Sequence, residues 1–268
     1  FVDDRRLLRL LRADPPASEQ ETHHDLVRNL PQQQREGAVE GYQLAADMGG
    51  MGFIERFRVE CLRSVLINVH MTEAAHRAGA DRYFFSSSAC AYNIDLQKIP
   101  GARALKESDA YPAMAERGYG WEKLFSEMIC QEYWAERGLR TFIARLHNAY
   151  GPHGTWDGGR EKAPAALCRK VIEARDKGTK TVNVWGDGSK TRSFMFIDDC
   201  VEGIDRIMHC DDLIATPINL GSSELVSIND LLSKVEKIAG VKLKGTRLEH
   251  WQEKFVVRPQ RNFSRAAA

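Results

Sequence analysis

The sequence predicts an α/β fold built on a mostly parallel sheet with helices on both faces. Three observations predict it. Short apolar runs alternate along the chain with longer segments of helical spacing. The length of 268 residues suits one large α/β domain, alone or with a smaller lobe. After Gly151 the character shifts, and a glycine-rich loop opens a second half. Taken in order, residues 5–12 (RRLLRLLR) read as a basic amphipathic helix, more an ordinary surface helix than a targeting remnant. Residues 13–21 are polar and hold two prolines, so they read as a loop. GYQLAAD (41–47) reads as a short buried strand. Residues 59–80 have helical spacing, with Leu62, Val65, Leu66, Val69 and Met71 on the apolar side. YFFSS (83–87) is the next strand, 119–137 a strong helix stopped by Gly138, and TFIARL (141–146) another strand.

Past GPHGTWDGGR (151–160) the pattern gives a helix over 163–175, then a strand and turn in VNVWGDG and a short strand in FMFID. Helices follow over 198–209 and 228–239, the second opened by a Ser227 cap with Asn229 and Asp230 in its first turn. Residues 1–150 and about 182–222 are assigned to the sheet domain, about 151–181 and 223–268 to a substrate lobe.

Composition removes several function classes. A formal net charge of +1, with both signs interleaved, gives no electrostatic footprint for nucleic acid. No apolar run approaches the roughly 20 residues needed to span a bilayer. Cys61, Cys90, Cys130, Cys168, Cys200 and Cys210 are scattered without a Cys-x-x-Cys pair, so neither structural zinc nor a disulfide framework is expected. No metal is expected. Reduced thiols and the lack of a signal peptide suggest a cytoplasmic protein, with an organelle left open.

Chemistry enters at Tyr119-Gly-Trp-Glu-Lys123. Positions i and i+4 share a helix face. An ammonium beside a phenol favours the phenolate and lowers a pKa that starts at about 10. Such a tyrosine can take a proton from a hydroxyl as hydride leaves. Alone the spacing is common on surface helices. It gains weight from SSSACAY (86–92), which follows an apolar strand and places a serine near the same hydroxyl.

Strand-end serines followed by a Tyr-x-x-x-Lys helix resemble the extended short-chain dehydrogenase/reductases, with Ser88, Tyr119 and Lys123 on their catalytic positions. Longer runs narrow the likeness: LAADMGGMGF (44–53), SSAC (87–90), LKESDA (105–110), HNAYGPHGTW (147–156), GGREKAPAA (158–166) and WGDGSKTRSF (185–194). Together they resemble the GDP-mannose 3,5-epimerases, from about residue 23 to about residue 230. The resemblance implies a Rossmann-like fold, bound NAD and a GDP-sugar substrate. It implies transient oxidation at C4, proton exchange at C3 and C5, and return of the hydride. Cys90 and Lys162 match the two residues that move those protons.

The same resemblance places Gly49, Ser88, Ala89, Cys90, Asn148, Glu161, Lys162, Ala163, Lys170, Lys190, Thr191 and Arg192 on sugar-nucleotide contacts, with Arg261 a looser match. Lys170 and Arg192 suit a diphosphate. Asp3 or Asp4 falls near the ribose-binding acid and Asp25 near the adenine. Leu44, Ala45, Ala46, Tyr119 and Lys123 complete the cofactor set. A homodimer through helices of the sheet domain is implied.

The sequence departs from the pattern at its start. A dinucleotide fold opens with a strand, a Gly-x-x-Gly-x-x-Gly turn and a helix N-terminus facing the pyrophosphate. No such turn precedes residue 45, and MGGMG (48–52) belongs to the substrate side, so the first β-α unit is expected to be missing. Trp121 replaces an aliphatic residue, and Asn93-Ile94 a Pro-Glu pair. The Cys90/Lys162 pair argues against a 4-epimerase or a 4,6-dehydratase. The rival from another class is a non-catalytic, epimerase-like subunit that serves as a docking surface in a larger complex.

Overall fold

The computed structural model describes residues 40–97, 104–243 and 247–249. The segment 5–12 and residues Asp3, Asp4, Asp25 and Arg261 lie outside them.

Four parallel strands form the central sheet: β1 (Glu40–Gln43), β2 (Arg82–Ser88), β3 (Arg140–Leu146) and, past four short strands named below, β8 (Pro217–Leu220), side by side in that order. A short α1 (Met51–Arg56) and a long α2 (Arg58–Arg77) lead from β1 to β2. Helix α3 (Tyr119–Arg137) leads from β2 to β3, and Gly138, left-handed at φ 71°, ends it. Side chains alternate across a strand. Tyr83, Phe85 and Ile143 therefore pack with Cys130, Leu139, Met71 and Ala75 on the α2/α3 face. Phe84, Phe142 and Ala144 point the other way, onto Cys200, Ile204, Ile207 and Met208 of α5 (Ile197–Met208). Both faces of the parallel sheet are thus covered, as the alternation of elements predicted.

A second apolar cluster stands apart. Leu167, Val171 and Ala174 of α4 (Ala163–Asp176) pack with Val182, with Val184 of β5 (Asn183–Trp185), and with Leu232 and Val235 of α6 (Ile228–Ala239). The sequence reading placed residues about 182–222 with the sheet domain; Val182 and Val184 pack in this smaller cluster. Ser227 caps α6 through Asp230, as expected. Short pairs join the parts: β4 (Asn148–Tyr150) with β7 (Phe194–Phe196), β6 (Thr191–Arg192) with β9 (Val226–Ser227), and β10 (Arg247–Glu249) with β5.

One expectation is overturned. Leu62 and Leu66 of α2 point outward, 44% and 49% exposed, and Val59 joins them at 66%. The buried side is Cys61, Ser64, Ile67, Asn68 and Thr72. This helix meets α3 through hydrogen-bonded polar groups, so apolar periodicity misplaced Leu62 and Leu66, while Met71 packs on the core as expected. All six cysteines are free thiols. Among the described residues no helix is long and apolar enough to cross a membrane, and no His/Cys/Asp/Glu group is placed to hold a metal.

Candidate active site

All four central strands end at one edge, where α/β sheets place their ligands. Beyond β1, Leu44, Ala45 and Ala46 run along that edge, and Leu44 and Ala45 are exposed. The buried Gln43 amide holds their backbone, accepting from Ala45 N at 3.2 Å and donating to Ala45 O at 3.1 Å.

β2 ends in Ser88, whose hydroxyl accepts from Cys90 N at 3.2 Å and opens a short 3₁₀ turn over Ala89–Ala91. The start of α3 lies against this turn. Glu116 N donates to Cys90 O at 3.1 Å, and the Glu116 carboxylate accepts from Gly120 N at 3.1 Å. Glu116 thereby supplies a cap that the N-cap residue, Gly118, has no side chain to make. At Gly120 a Cβ would stand 2.2 Å from Cys90 O, so only glycine lets the Tyr119 helix approach this closely.

Tyr119 is 6% and Lys123 1% exposed. The lysine ammonium lies 4.9 Å from the Phe85 ring centroid and 5.4 Å from that of Tyr119. Burial pushes the phenol above its ordinary value; the Cys90 thiol and the Glu122 carboxyl add to this, and Ser88 opposes it. The acidified phenol expected from the sequence is therefore not what the fold shows, because desolvation dominates. Burial likewise lowers Lys123, against the opposing charge of Glu122.

Lys162 arrives from the other side as the N-cap residue of α4, with Ala163 and Pro164 beginning the helix. Burial lowers its ammonium, and the Cys90 and Cys200 thiols work against that. Burial raises the Cys90 thiol, while Ser88, Lys162 and Arg192 pull it back. Cys90 and Lys162 thus lie within each other's field, with Arg192 in reach of the same thiol.

A clasp holds the Lys162 loop. Arg160 pairs with Asp47 at 2.9 Å, donates to Met48 O at 3.2 Å and lies 4.0 Å over the Phe53 ring. Gly50 N donates to Arg160 O at 3.0 Å, and a Cβ on Gly50 would stand 2.6 Å from Glu161 O. This close approach explains Gly50 of MGGMG, and Gly49 is likewise crowded, by Phe53 Cβ at 2.7 Å and Arg160 Cα at 3.2 Å.

The remaining sequence candidates spread along the rim. Asn148 donates to Ser193 O at 3.1 Å. Glu161 is engaged within its loop by Gly159 N at 2.7 Å and Arg169 at 3.2 Å. Lys170 donates to Asn183 O at 2.8 Å, tying α4 to β5. Lys190, Thr191 and Arg192 are exposed on and beside β6, and Lys190 is in Coulombic reach of Glu55 on α1.

Behind this edge lies a polar layer that sequence reasoning missed. Arg145 and Glu127, each 2% exposed or less, form a two-pronged ion pair at 2.9 and 2.7 Å, and Ser87 donates to the same carboxylate. Arg145 also donates to Glu107 O at 2.7 Å and stacks 4.8 Å over Tyr92. Gln43, Asn68, Glu122 and Ser126 form a second buried network. A charged residue in a helix reads as solvated surface, so only the YGWEK spacing could have flagged Glu122. Arg160 sat inside a quoted motif without a role; nothing marked Glu116.

Comparison with known proteins fits this geometry. Residues 22–221 match the family model described as the NAD dependent epimerase/dehydratase family. The GDP-mannose 3,5-epimerase of Arabidopsis thaliana is 47% identical over 201 residues, 75% of this chain and 52% of that protein. GDP-mannose 3,5-epimerase 1 of Oryza sativa subsp. japonica is 47% identical over 191 residues, 71% of this chain and 49% of that one. The chain spans about half the length of these curated relatives. Among solved structures, a GDP-6-OMe-4-keto-L-xylo-heptose reductase from C. jejuni superposes with a TM-score of 0.71 at 21% identity, covering 86% of this chain and 77% of that one. The UDP-glucose 4-epimerase of Thermotoga maritima, solved with UDP-glucose, gives 0.67 at 20% identity over 81% and 65%. Those structural likenesses carry the Rossmann-like fold; the family match extends over the strand-end serines, the Tyr119/Lys123 helix and the Lys162 loop, and on it the chain belongs to the NAD dependent epimerase/dehydratase family.

Proposed function

We propose that this chain carries the proton-moving and redox groups of a nucleotide-sugar epimerase acting on GDP-mannose at C3 and C5. The observation that supports this most is the pairing of Cys90 with Lys162 beside Ser88, Tyr119 and Lys123. A thiol and an amine on two separate elements suit removal of a proton by one and its return by the other. The described residues also fit one end of a dinucleotide: Lys123 brings ammonium donors, Tyr119 a hydroxyl, and Leu44–Ala46 an edge held by Gln43.

When bound, NAD supplies the hydride acceptor that allows C4 of the sugar to become a ketone. Once its own proton has been released to solvent, Tyr119 would take the C4 hydroxyl proton, and Ser88 would orient that hydroxyl. With a carbonyl at C4, the protons on C3 and C5 are acidic, and Cys90 and Lys162 exchange them. Burial disfavours the charged form of both, which shifts Lys162 toward acting as a base and Cys90 toward acting as an acid. Lys170, Lys190 and Arg192 would neutralise the diphosphate at the rim. The larger, sheet-bearing part would hold the dinucleotide and the smaller cluster the sugar nucleotide.

The chain would act as a homodimer. Val59, Leu62 and Leu66 on α2 and Trp121, Phe125 and Met128 on α3 are all more than two-fifths exposed. Their spacing puts each trio on one helix face, and the resemblance to the epimerases supplies a second copy as the occupant.

The test is solvent exchange. The chain is incubated with NAD and GDP-mannose in deuterated water, and loss of the C3 and C5 proton signals is followed. Exchange is expected in the parent and absent in Cys90→Ala. Equal exchange in both would overturn the assignment. Binding of GDP-mannose without exchange in the parent would favour the docking-subunit reading.

A further inference from the structure

The Glu122 carboxylate is among the most deeply buried groups of the described residues, and the mechanism above does not use it. Its side chain is 0% exposed, and that of its neighbour Lys123 is 1%. One carboxylate oxygen, Oε1, accepts from Asn68 Nδ2. Asn68 is itself fixed: its Oδ1 accepts from Gln43 Nε2 at 2.8 Å, and Nδ2 reaches Ser126 Oγ at 2.8 Å. The other oxygen, Oε2, meets no hydrogen-bond donor among the described residues and lies 3.9 Å from Lys123 Nζ.

We propose that Glu122 is the counter-charge of Lys123, a positioning residue that decides how fully the lysine of the dyad holds its proton. This rests on the reading of Tyr119 and Lys123 as a working pair. Three features carry it. An uncompensated buried carboxylate is costly, so so deep a site implies a partner. The Gln43–Asn68 chain fixes Oε1 and leaves Oε2 as the oxygen near the amine.

The third feature is the lack of a rival. From α3 the amine also feels Glu127 and the Cys130 thiol; from the turn after β2 it feels Cys90. The rings of Phe85 and Tyr119, 4.9 and 5.4 Å from the amine, carry no opposing formal charge. Glu127 is already neutralised by both prongs of Arg145. The thiols are kept protonated by burial. Glu122 is left as the carboxylate able to hold the ammonium in a dry site. Burial works the other way on both groups, raising the carboxyl and lowering the ammonium, and each group's charge opposes the other's shift.

The test reads the amine directly. The chain is labelled with carbon-13 at the lysine Cε, and the Lys123 signal is identified by its loss in Lys123→Met. In Glu122→Gln, which keeps the shape and an acceptor for Asn68, the Lys123 midpoint should fall by about 1–3 pH, the usual effect of losing an opposite charge at this distance. An unchanged midpoint overturns the proposal. Should Glu122→Gln lose its native near-ultraviolet circular dichroism, the reciprocal measurement decides. Coupling is mutual, so with labelled glutamate carboxyls the Glu122 midpoint should rise in Lys123→Met, and no rise overturns the proposal. Neither measurement involves turnover. Failure of solvent exchange with the coupling intact would therefore count against the epimerase reading alone.

Discussion

Replacing Gly120 by alanine sets two opposing effects against each other. In an ordinary helix the change stabilises by about 1 kcal/mol, since alanine loses less backbone freedom. Here the new methyl would stand 2.2 Å from Cys90 O, 3.0 Å from Cys90 C and 2.9 Å from Glu116 Cβ. Two of those atoms are backbone and cannot swing aside. The helix start must retreat, stretching the Glu116 N to Cys90 O bond of 3.1 Å. Overpacking of this kind costs about 3 kcal/mol at the upper end of its range. The net loss is then roughly 2 kcal/mol, a fall in Tm of about 4–8 °C for a chain of this size. Differential scanning calorimetry reads it. An unchanged or higher Tm would refute the reasoning, because helix propensity would then outweigh the contact. Retreat also carries Tyr119 away from Ser88, and about 1 Å of misplacement can cost on the order of 10²-fold in rate. Solvent exchange should fall accordingly even at temperatures where the variant is folded.

Tyr119→Phe should leave the circular dichroism unchanged and slow turnover of GDP-mannose by about 10²–10⁴-fold, the usual loss for a general acid–base group; turnover within about threefold of the parent would remove the tyrosine from the reaction. Lys162→Met should raise Tm at neutral pH. The folded state lowers this lysine's pKa, so its burial penalty is full below the folded value and fades as pH rises toward the ordinary lysine value; the gain should therefore shrink in scans at pH about 9.5, and a gain independent of pH would mean the charge is not the cause. Leu66→Glu combined with Phe125→Glu should give a monomer by sedimentation equilibrium, since both side chains are nearly half exposed on the apolar faces of α2 and α3; an unchanged mass would exclude that face as the contact.

The legible parts of the fold were those governed by local pattern. Helix α3 ends where its glycine turns left-handed, and α6 begins at its serine cap. The β2 and β3 strands are apolar on both faces because both faces are covered. What failed had a nonlocal cause. The four residues of β8, Pro217–Leu220, are too few for a periodic signal and become a strand only by pairing with β3. The six residues of α1 follow two glycines that read as a loop. On helix α2, Leu62 and Leu66 were misplaced because Asn68, Ser64 and Thr72 are buried by partners distant in sequence, and a one-chain pattern prices polar residues as surface. The same holds for the site: Cys90 and Lys162 were found through motif resemblance, whereas the charges beneath them became visible only as contacts.

The two proton-moving candidates stand on foundations of different kinds. Cys90 rides on a turn packed against the buried Ala91, Tyr92 and Tyr119. Lys162 rides on a loop clasped by Asp47 and Arg160, whose side chains are 40% and 47% exposed. An exposed ion pair weakens as salt screens it, while buried packing does not. One wall of the site therefore answers to the ionic medium and the other only to the stability of the sheet. Raising the salt should loosen the amine's side first, well before anything melts. The Arg160–Phe53 contact at 4.0 Å and the backbone bond from Gly50 N to Arg160 O are then what still holds that wall.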